Sequence, residues 1–173
     1  MKRLAILIAV ACALLMVGCA AGGEPVTEVK AAPIETVAAY FAPEDGAALT
    51  DSDLEAHPEV AVVRSMRELK AAEVPQVWID AAYLDEADKD WLLSLNGVPI
   101  VVAGHGDGLY AFAERLDFSI EMPAGTKTDA YKRGFCVWLQ VLNERGFGSQ
   151  SIRSGDELTV QAILDTCEKL LAE

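Results

Sequence analysis

The sequence predicts an α/β domain with a mainly parallel sheet of four to five strands layered between helices, and three observations lead there. From Glu59 onward, short apolar runs alternate with amphipathic stretches, the pattern of repeated strand-helix units. The run Val98 to Ala103 is apolar without alternation, as a central parallel strand covered on both faces requires. Two capping boxes, Ser65-Met66-Arg67-Glu68 and Ser154-Gly155-Asp156-Glu157, mark helix starts.

Element by element, Ile34 to Phe41 is ambiguous between a short helix and an added edge strand, and Pro43 with Asp45-Gly46 turns the chain after it. Thr50 to Ala56 reads as a brief helical turn that stops before His57-Pro58. Glu59 to Arg64 is β-branched and short enough for a strand, and the helix capped by Ser65 turns Met66, Leu69 and Ala72 inward. Gln76 to Asp80 is the second strand. Asp85 is expected to cap a helix whose stripe is Trp91, Leu92 and Leu95, ended by Asn96-Gly97. After the strand at Val98 to Ala103, Gly104 to Gly108 makes a turn, and Leu109, Phe112, Ala113 and Leu116 share one helical face. Asp117 to Met122 is a further strand. Tyr131, Phe135, Trp138, Leu139 and Leu142 mark a long helix terminated by Gly146, and Val160, Ile163, Leu164, Cys167 and Leu171 form the stripe of a final helix. Strands followed by helices with right-handed crossovers give a three-layer sandwich of Rossmann/flavodoxin-like type.

The N-terminus carries a different signal. Met1-Lys2-Arg3 is basic, Leu4 to Val17 is an unbroken apolar stretch, and Met16-Val17-Gly18-Cys19 closes it. This segment resembles the lipobox of bacterial lipoproteins, with Met16 standing where leucine is usual. The resemblance implies removal of residues 1–18 and lipidation of Cys19 by acyl chains such as palmitate. Leu4 to Ala21 also gives eighteen uncharged residues, near the minimum for an uncleaved membrane anchor. Two or more chains on Cys19 retain a protein at a bilayer, since each buried methylene contributes about 0.8 kcal/mol. The implied location is the extracytoplasmic side of the cell membrane or outer membrane. Residues 19–46 then form a disordered tether, with the short element at 34–41, and residues 47–173 a single α/β domain.

Without residues 1–18 the chain has 12 basic against 27 acidic residues, a net charge of −15. Such a surface repels nucleic acid and anionic headgroups, so partners other than the membrane are neutral, basic or cationic. Cys12 lies in the signal and Cys19 is the lipid site, which leaves Cys136 and Cys167. Each is expected in an amphipathic helix, either joined in a disulfide or buried as a small core residue.

Ligands of open α/β sheets bind beyond the carboxyl ends of the strands, which directs attention to Ser65, Asp80, His105 and Asp107. Each has a structural explanation too: Ser65 and Asp107 as helix caps, Asp80 as a turn former, His105 as an exposed loop residue. As chemistry, Ser65, Asp80 and His105 would make a nucleophile, acid and base, but Ser65 lacks the Gly-x-Ser-x-Gly setting. Asp80, His105 and Asp107 with Asp85 offer metal ligands without diagnostic spacing. Gly104 to Gly108 could meet a phosphate, yet Leu109 stands where a dinucleotide motif needs glycine and Asp107 repels anions. Trp78, Trp91 and Trp138 read as core, and Tyr83 and Tyr110 lie near strand ends. No catalytic residue and no cofactor emerges. The expectation is a domain that binds a protein or small molecule rather than transforming it, with a hydrolase or metal-dependent enzyme around His105 and a purely structural envelope protein as the alternatives.

Overall fold

The computed structural model describes residues 34–104, 108–119, 134–140, 146–152 and 158–172. Among them runs one six-stranded mixed sheet. The strands are β1 (Ala38–Phe41), β2 (Val60–Val63), β3 (Gln76–Asp80), β4 (Pro99–Ala103), β5 (Phe135–Gln140) and β6 (Gly146–Ser151). The helices are α1 (Asp51–Ala56), α2 (Met66–Ala71), a 3-10 helix (Ala81–Glu86), α3 (Lys89–Ser94), α4 (Gly108–Arg115) and α5 (Val160–Ala172). Spatial order is β2-β1-β3-β4-β5-β6. The first four strands pair parallel, whereas β5 pairs antiparallel with β4 and β6 antiparallel with β5. The α/β class is therefore as expected, but the sheet is wider and more mixed than a mainly parallel one of four to five strands.

The segment left open between helix and edge strand is β1, which lies inside the sheet between β2 and β3 with all four residues buried. A strand with neighbours on both edges and helices on both faces must be apolar throughout, and Ala38-Ala39-Tyr40-Phe41 is. The compact unit accordingly spans Ile34–Glu173 rather than starting at residue 47. The expected signal and the tether before Ile34 lie outside the described residues.

The sharpest departure is at β5. A continuous apolar run such as Phe135-Cys136-Val137-Trp138-Leu139 fits both a helical and a strand period. Period two wins: Phe135, Val137 and Leu139 are buried together on one face. Gly146 opens β6 instead of ending a helix, and only residues 141–145 join the two strands, too few for the crossover that parallel pairing demands. Cys136 is thus a strand residue, in register with Val101. Cys167 is buried in α5. The expected strand at 117–122 is turn and irregular chain over 117–119, and its remainder falls outside the described residues.

Successive side chains of each strand enter opposite cores. One holds Ala39, Phe41, Val77, Ile79, Ile100 and Val102 under Leu69 of α2, Leu84 of the 3-10 helix, Leu92 of α3 and Phe112 of α4. The other holds Ala38, Tyr40, Trp78, Val101 and Ala103 against Val160, Ile163, Cys167 and Leu170 of α5. The α5 stripe turns at its end onto Leu170, while Leu171 stays 52 % exposed. Trp138 belongs to this second core, as a strand residue rather than a helical one.

Two helix starts also differ from expectation. Asp88, not Asp85, caps α3, its Oδ1 accepting from the Trp91 N–H at 3.0 Å. At α5 the Thr159 hydroxyl accepts from Ala162 N–H at 3.2 Å, downstream of the Ser154 box, whose residues are not among those described.

Candidate functional site

The first strand sends the chain to β2 on one side, and the chain later returns to β3 on the other, so the reversal of strand order falls between β1 and β3. Asp80 ends β3 at this point and is 4 % exposed. Its Oδ2 accepts from the Tyr40 hydroxyl at 2.6 Å and the Ala48 N–H at 2.7 Å, and its Oδ1 from the Ala82 N–H at 2.9 Å. A buried carboxylate survives only with such partners. Tyr40 stays a donor because burial, reinforced by the hydrogen bond to Asp80 and its charge, pushes its phenol far above the ordinary range.

These bonds fasten the loop 42–50 across the strand ends. At its start, Arg64 Nη1 donates to the carbonyls of Ala42 at 2.9 Å and Pro43 at 2.7 Å. Midway, Ala48 presses on Gly104 at the end of β4, where a Cβ would stand 2.4 Å from the Ala48 Cβ and φ is +83°. Leu49 is buried in the second core, and Thr50 caps α1 by accepting from the Asp53 N–H at 3.3 Å. Among the described residues, the chain's own strap lies across the strand ends where doubly wound folds receive ligands.

The residues singled out in the sequence separate accordingly. Ser65 is a cap, accepting from the Glu68 N–H at 3.3 Å, while Glu68 reaches back to the Arg64 N–H at 2.8 Å. That backbone N–H is the main cause holding the Glu68 carboxyl below its ordinary range. With β1 lying between β2 and β3, Ser65 and Asp80 stand roughly two strand spacings, about 10 Å, apart. His105 and Asp107 are outside the described residues, between Gly104 and the Gly108 that opens α4. Tyr83 packs on Phe41 with ring centroids 4.8 Å apart.

Two open grooves lie among the described residues, the second of them beside the strap. One, of about 440 Å³, is lined by Asp85, Lys89, Glu114, Arg115 and Asp117. Its cations are engaged: Lys89 pairs with Asp117, and Arg115 donates to the carbonyls of Leu84 and Ala87. The other, of about 530 Å³, lies beside Thr50, Ser52, Asp53, Leu158 and Thr159. There Asp53 Oδ2 accepts from the Val160 N–H at 2.6 Å, a negative charge at the positive end of α5. The same carboxylate stands 3.9 Å from His57 Nε2, and His57 Nδ1 lies 2.9 Å from Glu59 Oε1. The hydrogen bond to His57 lowers the Glu59 carboxyl. Among the described residues no three His, Cys, Asp or Glu side chains are grouped to hold a metal ion.

No family model, curated protein or solved structure matches this chain.

Its chemistry is therefore read from these contacts alone. Tyr40, Arg64 and Asp53 were not legible as partners, because each meets residues far along the chain, whereas the partners of His57, which are Asp53 and Glu59, are local. Tyr40 in particular sits in the segment whose type the sequence left open. Among the described residues the polar groups brought together fasten one segment of chain to another, and the strand-end carboxylate faces its own backbone.

Proposed function

We propose that this protein is a lipid-anchored, extracytoplasmic lipoprotein whose α/β domain binds a partner rather than transforming a substrate. The observation that carries the anchoring is the segment Met1 to Cys19, a basic start and apolar run closed by Gly18-Cys19. The binding role is supported by the strap: residues 42–50 lie across the strand ends and Asp80 is committed to three internal donors, which favours surface contacts as the means of action. The strand order 2-1-3-4 of the parallel half supports a flavodoxin-like ancestry for the fold, with β5 and β6 as an antiparallel extension. Two acyl chains would keep the domain at the membrane while its charge of −15 keeps it soluble and clear of nucleic acid. Fractionation of cells making the wild-type chain and Cys19→Ser tests the reading. The wild type should sediment with membranes and resist high salt, and the variant should become soluble. A variant that stays with the membrane fraction in high salt would overturn the lipid anchor.

A further inference from the structure

Strand β2 is an edge of the sheet, and its polar backbone is unevenly satisfied. The bonds Ala38 N–H to Glu59 O and Ala42 N–H to Val63 O show that the odd-numbered residues face β1. In a parallel ladder the alternate residues then turn their backbone outward. The outward N–H of Val60 is taken by His57 O at 3.0 Å and that of Arg64 by Glu68 Oε2 at 2.8 Å. Between them, the N–H and C=O of Val62 have no partner among the described residues. The Val62 side chain is itself 37 % exposed, beside Leu54 in a groove of about 300 Å³ between α1 and the edge.

The rim of that groove is acidic. Asp51 and Glu55 are exposed on α1, and neither joins an ion pair among the described residues. Arg64, the one cation among its described lining residues, donates through Nη1 to the Ala42 and Pro43 carbonyls, which leaves two carboxylates against one positive charge. A second copy paired edge to edge would bring two acidic rims together, and the chain's own segment 20–33 carries Glu24 and Glu28 against Lys30. Resting on the binding role proposed above, we infer that the β2 edge and α1 groove accept an extended segment of a partner protein whose every second residue, all on one face, is by turns small apolar and basic. The segment adds as a further strand on the Val62 backbone, sets apolar side chains on Leu54 and Val62, and places its cations against Asp51 and Glu55.

The test uses the full chain with a ten-residue Lys-Val peptide, in which Val and Lys take turns at every second position with Ser between them, and a Glu-Val peptide with Glu for each Lys as counterpart. The Lys-Val peptide should bind, and the Val62 amide should gain about tenfold protection from hydrogen exchange. Asp51→Lys with Glu55→Lys should weaken binding about tenfold or more. Val62→Pro removes the outward N–H without a ladder bond, is tolerated at an edge, and should weaken binding too. The charge-reversed variant, altered only at exposed positions, keeps the test valid should the proline variant fold poorly. Equal binding of the Glu-Val peptide, or an unprotected Val62 amide in the complex, would overturn the inference. A photo-crosslinker at Val62 and another at Leu171 in producing cells separate the two levels of argument. Capture at Leu171 alone overturns the edge and leaves the binding role, whereas capture at neither overturns both.

Discussion

Removing the carboxylate of Asp80 should loosen the whole C-terminal rim of the sheet. Three donors converge on it, two of them, the Tyr40 hydroxyl and the Ala48 N–H, at 2.6 and 2.7 Å on the same oxygen. Hydrogen bonds to a charged group contribute about 1.5–3 kcal/mol each, and a buried donor left without its acceptor costs about 1–3 kcal/mol. Because the three share one carboxylate they do not add, and Asp80→Ala should cost about 3–5 kcal/mol. Asp80→Asn keeps the shape and one acceptor oxygen for Ala82 but turns an NH2 toward two donors, for about 2–3 kcal/mol. Tyr40→Phe removes one donor and leaves the carboxylate its two backbone N–H groups, for about 1–2 kcal/mol. Urea denaturation of the 34–173 unit gives the three values, and the Tyr40→Phe/Asp80→Asn double variant should fall short of the sum of its two single variants by about 1 kcal/mol. Hydrogen exchange at Ala48 gives an independent readout, since its amide should lose protection in Asp80→Asn. Single variants within about 0.5 kcal/mol of wild type, with Ala48 still protected, would refute the latch.

Further predictions concern the strap, the acidic residues and the phase of α5. Gly104→Ala meets both a positive φ and the Ala48 Cβ, whereas Gly46→Ala meets only a positive φ of +74° with open space around it. The first should cost about 2–4 kcal/mol and the second about 1 kcal/mol by chemical denaturation, and equal losses would remove the Ala48 contact from the account. The Glu59 carboxyl is held down chiefly by its hydrogen bond to His57, so its folded pKa lies below the unfolded one. Its contribution to stability is therefore complete above the unfolded value and lost as pH falls through the folded one. NMR titration of the Glu59 side chain should find that His57→Ala returns it toward the ordinary range, and an unmoved titration would contradict the pairing. In α5, Leu170→Ala should cost about 2–4 kcal/mol and Leu171→Ala under about 0.5 kcal/mol in thermal or urea melts. The reverse order would mean that the helix faces the sheet through another side.

The alternating first half of the domain was legible because each element there carries its own local mark. Val98 to Ala103 is apolar without alternation, Ser65 caps its helix, and Leu109, Phe112, Ala113 and Leu116 are buried together on one helical face. What escaped were features decided by distant partners. β1 is too short and too apolar to declare its type until β2 and β3 flank it. The run from Phe135 to Leu139 satisfied two periods, and its antiparallel partner Gly146 to Ser151 is poor in the β-branched residues that announce a strand. Asp80 stood out as a strand-end carboxylate, but nothing local could say that Tyr40 and Ala48 claim it across separations of 40 and 32 residues.

The proposed lipid anchor is measured most directly by mass spectrometry of the N-terminal peptide from the native protein. A mature chain beginning at Cys19 and carrying two or more acyl chains on that residue is the predicted species. An intact Met1 followed by a signal segment whose Cys19 is unmodified would contradict it.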